Sequence, residues 1–470
     1  MSTQTNGLPP FGCEMHLTET SGYVKRWSNA HIAPPKVVVV PNTEDDVVVA
    51  LRYAQNHKLR VVVAGGGHAP FVPVSQETLY LDMRHFKSIS LDKEASTVTV
   101  GGGVLVGELL PALTAQGFYT TLPYANSVGV VGSVMGGGNN PFNSLHGFVV
   151  DNVERAHIIT ASDGATHDIS PSSSDGDERA LFAALCGAGF GLGVVTSLTL
   201  RVYPLSALTL DEGDKVWQRR VIFQGAAVRD AARALLSLLP VRGPLAVALL
   251  YRRNPQTGAP IAVLVVHYFG PFAEAEKSDA ARVLRAPEVT QKAVMAITAG
   301  VTVTEINALG KDAEARGGAK MLDSTFASSL DEDTIVALFE NYVAFTDGRP
   351  DTWKSSASIA AWDTTKTIEM GSLKKKKGDF FQPRDRGLLL IQVSWSEKSE
   401  REEELKLHLA DMRNIFLRGQ SGPVMRFANN LSLPADLKEF YSADQIQELQ
   451  KIKQRWDPTG LLWSPASGTV

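Results

Sequence analysis

Hydrophobic and polar positions run in two different rhythms along the chain. In the first, short apolar runs are each closed by glycine or proline. Val37–Val40 is such a run, a buried strand ended by Pro41, and Thr43 stands where it can cap a helix reaching about His57. Leu59–Ala64 is a second strand, running straight into the glycines at 65–67. Thr78–Leu81 and Thr97–Val100 read as further strands, the latter followed by Gly101–Gly103 and a helix from about Val106 to Gln116. Val153–Thr160 is a strand that turns at Asp163-Gly164, a hairpin signal. A helix at about Arg179–Cys186 then precedes a strand at Val194–Tyr203.

Beyond Pro204 the glycine clusters stop and the second rhythm begins. Amphipathic strands at Val221–Phe223, Val247–Tyr251, Ile261–Tyr268, Ser358–Trp362 and Leu388–Trp395 alternate with helices at about Ala226–Leu239, Glu332–Phe345 and Glu400–Phe416. This predicts a second domain, an antiparallel sheet with helices on one face. A last amphipathic helix, Ala443–Trp456, stops at Asp457-Pro458, and the stretch up to Pro35 lacks periodicity and reads as a loose arm.

Composition narrows the partners. The 470 residues suffice for two or three domains of about 150 residues each. A formal net charge of -4 and a pI near 6.2 supply no field to draw in nucleic acid or an anionic membrane. The opening MSTQTNGLPP has no basic or apolar targeting region, and the only cysteines, Cys13 and Cys186, exclude a disulfide framework and a cysteine-rich zinc site. No metal is expected. The expectation is a soluble, cytoplasmic protein of enzyme size.

The candidate chemistry begins at Val61-Val-Val-Ala-Gly-Gly-Gly-His-Ala-Pro70. Three glycines after a buried strand let successive backbone amides point into one concavity, a nest for phosphate oxygens. A Walker loop would continue with Gly-Lys-Ser/Thr, and a Rossmann turn would enter a helix, which Pro70 and Pro73 prevent. On these residues alone the stretch is either a pyrophosphate seat of another kind or a tight turn. Further glycine clusters at 101–103, 129–138 and 187–193 suggest a long, flat, phosphorylated ligand threaded between two sheet layers.

Several ordered motifs together carry a resemblance. They are Gly65-Gly-Gly-His68, Val128-Gly-Val-Val-Gly-Ser-Val-Met-Gly-Gly-Gly138, Asp151-Asn-Val153, Gly187–Val195 and the closing Tyr441, Lys453 and Trp456-Asp-Pro458. Over nearly its whole length the chain resembles the FAD-linked oxidases of the vanillyl-alcohol oxidase type, in the berberine-bridge-enzyme-like branch. The resemblance implies an α+β, two-domain fold. An N-terminal arm (1–35) precedes a PCMH-type FAD-binding domain (36–205). A substrate-binding domain of antiparallel sheet covered by helices (206–425) follows, and a C-terminal segment (426–470) returns to the FAD domain.

It further implies that Gly65, Gly66, Gly67, His68 and Ala69 cradle the FAD pyrophosphate, and that His68 bonds to the flavin C8 methyl. Ser127, Gly129, Gly132, Ser133, Gly138, Val195 and Asn429 are the other cofactor-binding residues it suggests. The family's second covalent anchor, a cysteine ahead of the Val-Gly-Val segment, is matched by Ala125, which predicts one covalent link and not two.

The expected catalytic residues depart from the family pattern. Where relatives often carry Lys-Tyr-Gly, this chain has Leu145-His-Gly147. His146 is therefore either a base poised near neutrality or a hydrogen-bonded structural histidine. The acid or amide that relatives carry on the substrate sheet is matched by Gln392, able to orient a substrate but not to take its proton. A Tyr-x-Asn-Tyr motif becomes Phe427-Ala-Asn429-Asn430, without either tyrosine. The activity implied is an oxidase moving hydride from a C–H of a small organic substrate, of secondary metabolism, to covalently bound flavin, with O2 as electron acceptor. The loss of both tyrosines, and of the lysine that relatives often carry two residues before the position of Gln392, keeps open an alternative, a redox-neutral cyclase that contains FAD and catalyses an intramolecular cycloaddition.

Overall fold

A strand apolar at every position must be covered on both faces. Val37–Val40 meets that condition: all four valines are buried, in a computed structural model that describes residues 12–18, 22, 24–211, 213–375, 378–432 and 435–465. The strand pairs in parallel with Thr78–Asp82, which pairs in parallel with Arg60–Ala64; Glu14–Leu17 completes this four-stranded sheet at the other edge. Thr43 caps the helix Glu44–Asn56 by accepting the Asp46 amide at 3.2 Å, and the Asp46 carboxylate accepts the Thr43 amide in return.

A second, five-stranded antiparallel sheet runs in the order Ile89–Asp92, Thr97–Gly101, Val194–Arg201, Val153–Ile159, Thr166–Ile169. Asp163-Gly164 makes its last hairpin, with Gly164 at a φ of 72° that favours glycine. The four glycine clusters sit at the ends of these strands and of the helices between them.

The third sheet is antiparallel and seven-stranded. Its order is Met295–Val301, Val216–Gln224, Pro260–Tyr268, Leu245–Arg253, Ser356–Trp362, Leu388–Ser396, Ala319–Ala327. Alternation along each strand divides its side chains between two cores. Leu249, Leu264, Ile359 and Leu390 pack with Ile335, Leu338, Met412 and Phe416 of the helices Glu332–Thr346 and Glu402–Phe416. Ala246, Ala360, Trp362 and Leu389 face the other way and join the core of the glycine-rich half.

One strand of this sheet mixes polar with apolar side chains although all of it is buried. Ala319–Ala327 is buried throughout yet contains Lys320, Asp323, Ser324 and Thr325. Asp323 is held by the guanidinium groups of Arg413 and Arg426, so a charge that would be costly alone has its partners.

Arg426, Phe427 and Asn430 contact the strand Ala319–Ala327, and the chain from Tyr441 onward packs on the glycine-rich half. Tyr441 Oη donates to the Gly187 carbonyl at 2.9 Å, Lys453 Nζ to that of Gly191 at 3.1 Å, and Leu462 bridges Val61. The expected loose arm is different in the structure. Its residues 1–11 lie outside the described residues, but Glu14–Leu17 is an edge strand and the Trp27 amide donates to the Gly67 carbonyl at 2.9 Å. These contacts are between sequence-distant backbones, which periodicity within the arm does not register. Among the described residues no helix is long and apolar enough to cross a membrane.

Candidate active site

The loop after the strand Arg60–Ala64 is glycine because other backbones press against it. A Cβ on Gly66 would sit 2.5 Å from the Gly129 amide nitrogen, and one on Gly67, whose φ is 64°, would sit 2.4 Å from the Lys25 carbonyl oxygen. The first and third glycine clusters therefore touch backbone to backbone. Beside this contact opens a cavity of about 440 Å³ whose wall includes Gly65, Gly66, Gly67, His68 and Ala69. Gly129, Gly132, Ser133, Gly138, Val195 and Asn429 line it too.

Gly132 is of another kind. A Cβ there would meet nothing within 4 Å beyond its own helix, so its bare backbone faces the cavity and not a neighbouring chain segment. Ser127 is the expected cofactor residue that does not line the wall; its hydroxyl is buried without a hydrogen-bond partner, and Val128 takes the place at the surface.

His68 is held by a ring stack. Trp27 lies against it with ring centroids 4.4 Å apart and planes 15° from parallel. The Trp27 carbonyl accepts from Lys320 Nζ at 2.7 Å, and the same ammonium lies 4.6 Å over the Trp27 ring and 4.1 Å over that of Trp395. Burial, reinforced by the positive charges of Lys320 and Arg316, pushes the His68 pKa down to about 3. The imidazole is thus neutral near pH 7, with a lone pair available. Arg26 donates to the carbonyls of Ala69 and Val72, fixing the turn that follows.

The two expected catalytic residues are placed elsewhere. Gln392 lies between Ile391 and Val393, whose side chains line the cavity, and strand alternation sends it to the opposite face. There its Nε2 donates to the Leu409 carbonyl at 3.2 Å, under the covering helix. His146 is also outside the wall. Its Nε2 is hydrogen-bonded to Tyr119 Oη at 2.8 Å, Tyr203 stacks on it at 3.6 Å, and burial lowers its pKa to about 4. Its structural reading is the one these contacts favour. Asn429 lines the cavity but uses its amide to tie the C-terminal segment to the third glycine cluster. Its Nδ2 donates to the carbonyls of Gly132 and Ser133, and its Oδ1 accepts the Gly138 amide at 2.9 Å.

Sequence reasoning passed over Trp27, Tyr124 and His267, all in the cavity wall. Trp27 sits in a stretch without periodicity. Tyr124 directly precedes Ala125, itself in the wall, and offered only adjacency as a signal. His267 was legible as a polar position inside an amphipathic strand, with nothing to say which face was which.

Known proteins match both the chain and its shape. The family described as FAD binding domain matches residues 35–170. Over 93% of its length the chain is 24% identical to an FAD-linked oxidoreductase of Neurospora crassa, 85% of which is covered. Its fold superposes on BBE-like 1 from Physcomitrella patens with a TM-score of 0.78 at 18% identity, covering 97% of this chain and 96% of that one. It superposes on 6-hydroxy-D-nicotine oxidase from Arthrobacter nicotinovorans with a TM-score of 0.76 at 20% identity, covering 96% of each. Fold and site define a two-domain flavoenzyme of the PCMH type. Residues 35–170 match an FAD-binding domain, the chain is similar over nearly its whole length to FAD-linked oxidoreductases, and its fold is shared with berberine-bridge-enzyme-like proteins.

The wall fits FAD. The Gly65–Gly67 loop offers backbone amides without side chains in front of them, Gly132 leaves open the space a methyl would fill, and the imidazole at 68 is neutral.

Proposed function

We propose that the protein is an oxidase that removes hydride from a C–H bond of a small organic substrate, of the secondary-metabolite kind, with FAD bonded to His68 and O2 as the electron acceptor. One observation carries this reading. A single cavity reaches from the glycine clusters and His68 to the inner face of the seven-stranded sheet, giving cofactor and substrate one shared space. Bound there, FAD would supply the redox chemistry, taking up two electrons as hydride.

The chain's own share is position and environment. Gly65–Ala69 would hold the pyrophosphate through backbone amides, with Arg26 bracing the turn behind them. Burial keeps the lone pair of His68 unprotonated for a bond to carbon, and Trp27 sets the plane of its ring. Ala125 allows no second tether. Leu250, Val265, Ile391 and Val393 keep the sheet side dry. Neither cysteine is in a disulfide, which agrees with a reducing, cytoplasmic setting.

A redox-neutral cyclase is the second reading, and one observation favours it. Among the described residues that line the cavity, those from the seven-stranded sheet include no carboxylate and no tyrosine. Shape alone would then hold the substrate in a reactive pose. Mixing purified yellow protein with candidate alcohols, amines and polyketides without oxygen separates the two. The oxidase predicts bleaching of the flavin's visible band, followed by peroxide release when air is admitted. Product formed with the band intact would overturn the oxidase in favour of the cyclase.

A further inference from the structure

The inner face of the seven-stranded sheet forms the side of the cavity away from the glycine clusters. Ala246, Ala248 and Ala360 form its floor, with Val265, Ile391 and Val393 around them. Ala248 is in register with Ala360 and with Val265 on the neighbouring strands, so small side chains meet there and leave a flat recess. His267 is in register with Ala246, at the edge of this floor.

His267 is buried and its neighbour settles its tautomer. Gln218 Nε2 donates to His267 Nε2 at 2.9 Å, both side chains lying inside the protein. A ring nitrogen that accepts carries no proton, so the proton is on Nδ1. Burial also favours the uncharged ring. The Nδ1–H has no hydrogen-bond partner among the described residues. Ser358 is the other polar side chain that the sheet contributes to the wall.

Charge is absent from this face. Among the described residues, the charged members of the cavity wall, Arg26 and Glu314, come from other segments and are engaged with the chain. Arg26 donates to the Ala69 and Val72 carbonyls, and Glu314 Oε1 accepts the Asn126 amide at 2.8 Å. An ionised substrate would give up its hydration here without gaining a counter-charge. A neutral, largely apolar molecule loses little, and one oxygen acceptor is enough to use the His267 donor.

From this placement we infer that the cavity selects a neutral, flat, mainly apolar substrate and that His267 orients it by donating a hydrogen bond from Nδ1 to a carbonyl or hydroxyl oxygen. The inference rests on the reading of the cavity as a flavin-and-substrate site. His267 is a specificity-determining residue in this account, and its role does not depend on whether the reaction is an oxidation or a ring closure.

Four probes of one shape test it on the purified holoenzyme: 4-methylacetophenone, p-xylene, 4-methylbenzoate and 4-methylbenzylamine. Each is titrated while the visible spectrum of the flavin is followed. The ketone is expected to bind about tenfold more tightly than p-xylene, the worth of one hydrogen bond, and more tightly than either ion by at least that factor. His267→Phe is expected to bring the ketone to the level of p-xylene and to leave p-xylene unchanged, while His267→Gln, which keeps a donor, restores most of the difference. An ion that binds as tightly as the ketone would overturn the inference. So would a ketone affinity untouched by His267→Phe, or a coloured enzyme whose spectrum none of the probes perturbs. The wild-type series decides the charge claim even where a variant fails to fold. Colourless wild-type protein would instead remove the flavin reading itself.

Discussion

Gly66 and Gly132 both line the cavity, yet they are glycine for different reasons, and the difference separates folding from cofactor binding. A methyl at Gly66 collides with backbone at Gly129 and Ser127, which has no rotamer by which to yield. Gly66→Ala is expected to destabilise the protein by about 1–3 kcal/mol, as overpacking does, and to lower flavin content with it. A methyl at Gly132 meets nothing beyond its own helix and points at the space assigned to FAD. Gly132→Ala is expected to keep the wild-type urea midpoint while the ratio of visible to ultraviolet absorbance falls severalfold. Full flavin content in Gly132→Ala would place the cofactor elsewhere.

At the scale of elements, much of the fold was legible. Val37–Val40 and Ala443–Trp456 have the bounds that their patterns predict, and the cap at Thr43 and the turn at Asp163-Gly164 are where their residue types put them. The strand Ala319–Ala327 was not legible, because its buried polar side chains find partners far away in sequence. Gln392 shows a second limit. Its strand was read correctly, but an alternating pattern with two buried faces does not say which face meets the cavity, and one step in register exchanges Gln392 for Ile391. The glycine loop and His68 were legible because steric demands on backbone are local.

Asp323 carries the prediction that belongs here. It joins the strand Ala319–Ala327 to the helix Glu402–Phe416 through Arg413, and to the returning C-terminal segment through Arg426. Asp323→Ala leaves Arg413 without its counter-charge and Arg426 with Glu439 alone, and is expected to cost about 3–5 kcal/mol in urea unfolding. A loss under about 1 kcal/mol, the range of an exposed pair, would contradict that role.

Over the whole molecule, buried histidines set the response to acid. Burial lowers His408 to about 3, and His146 and His267 to about 4. In the unfolded chain each titrates near its ordinary value, about 6.5. Below that pH the unfolded chain takes up protons that the native protein does not. Stability is therefore full above about pH 6.5 and declines as pH falls toward 4, with each group adding up to about 1.4 kcal/mol per pH unit to the slope. The urea midpoint is expected to fall steadily from pH 7 to about pH 5. His408→Gln, at a site stacked on Phe345 and bonded to Ser394, should flatten that decline by one proton's share. A midpoint that does not change over this range would show these rings to be protonated in the native state.

The central claim is that the short glycine run before His68 seats FAD and that His68 bonds to it. Mass spectrometry of the denatured, purified protein tests it most directly. The account predicts a mass increase equal to FAD, located to the peptide that contains His68 and absent from His68→Ala. Correctly folded protein that carries no flavin, or flavin bonded to another residue, would contradict it.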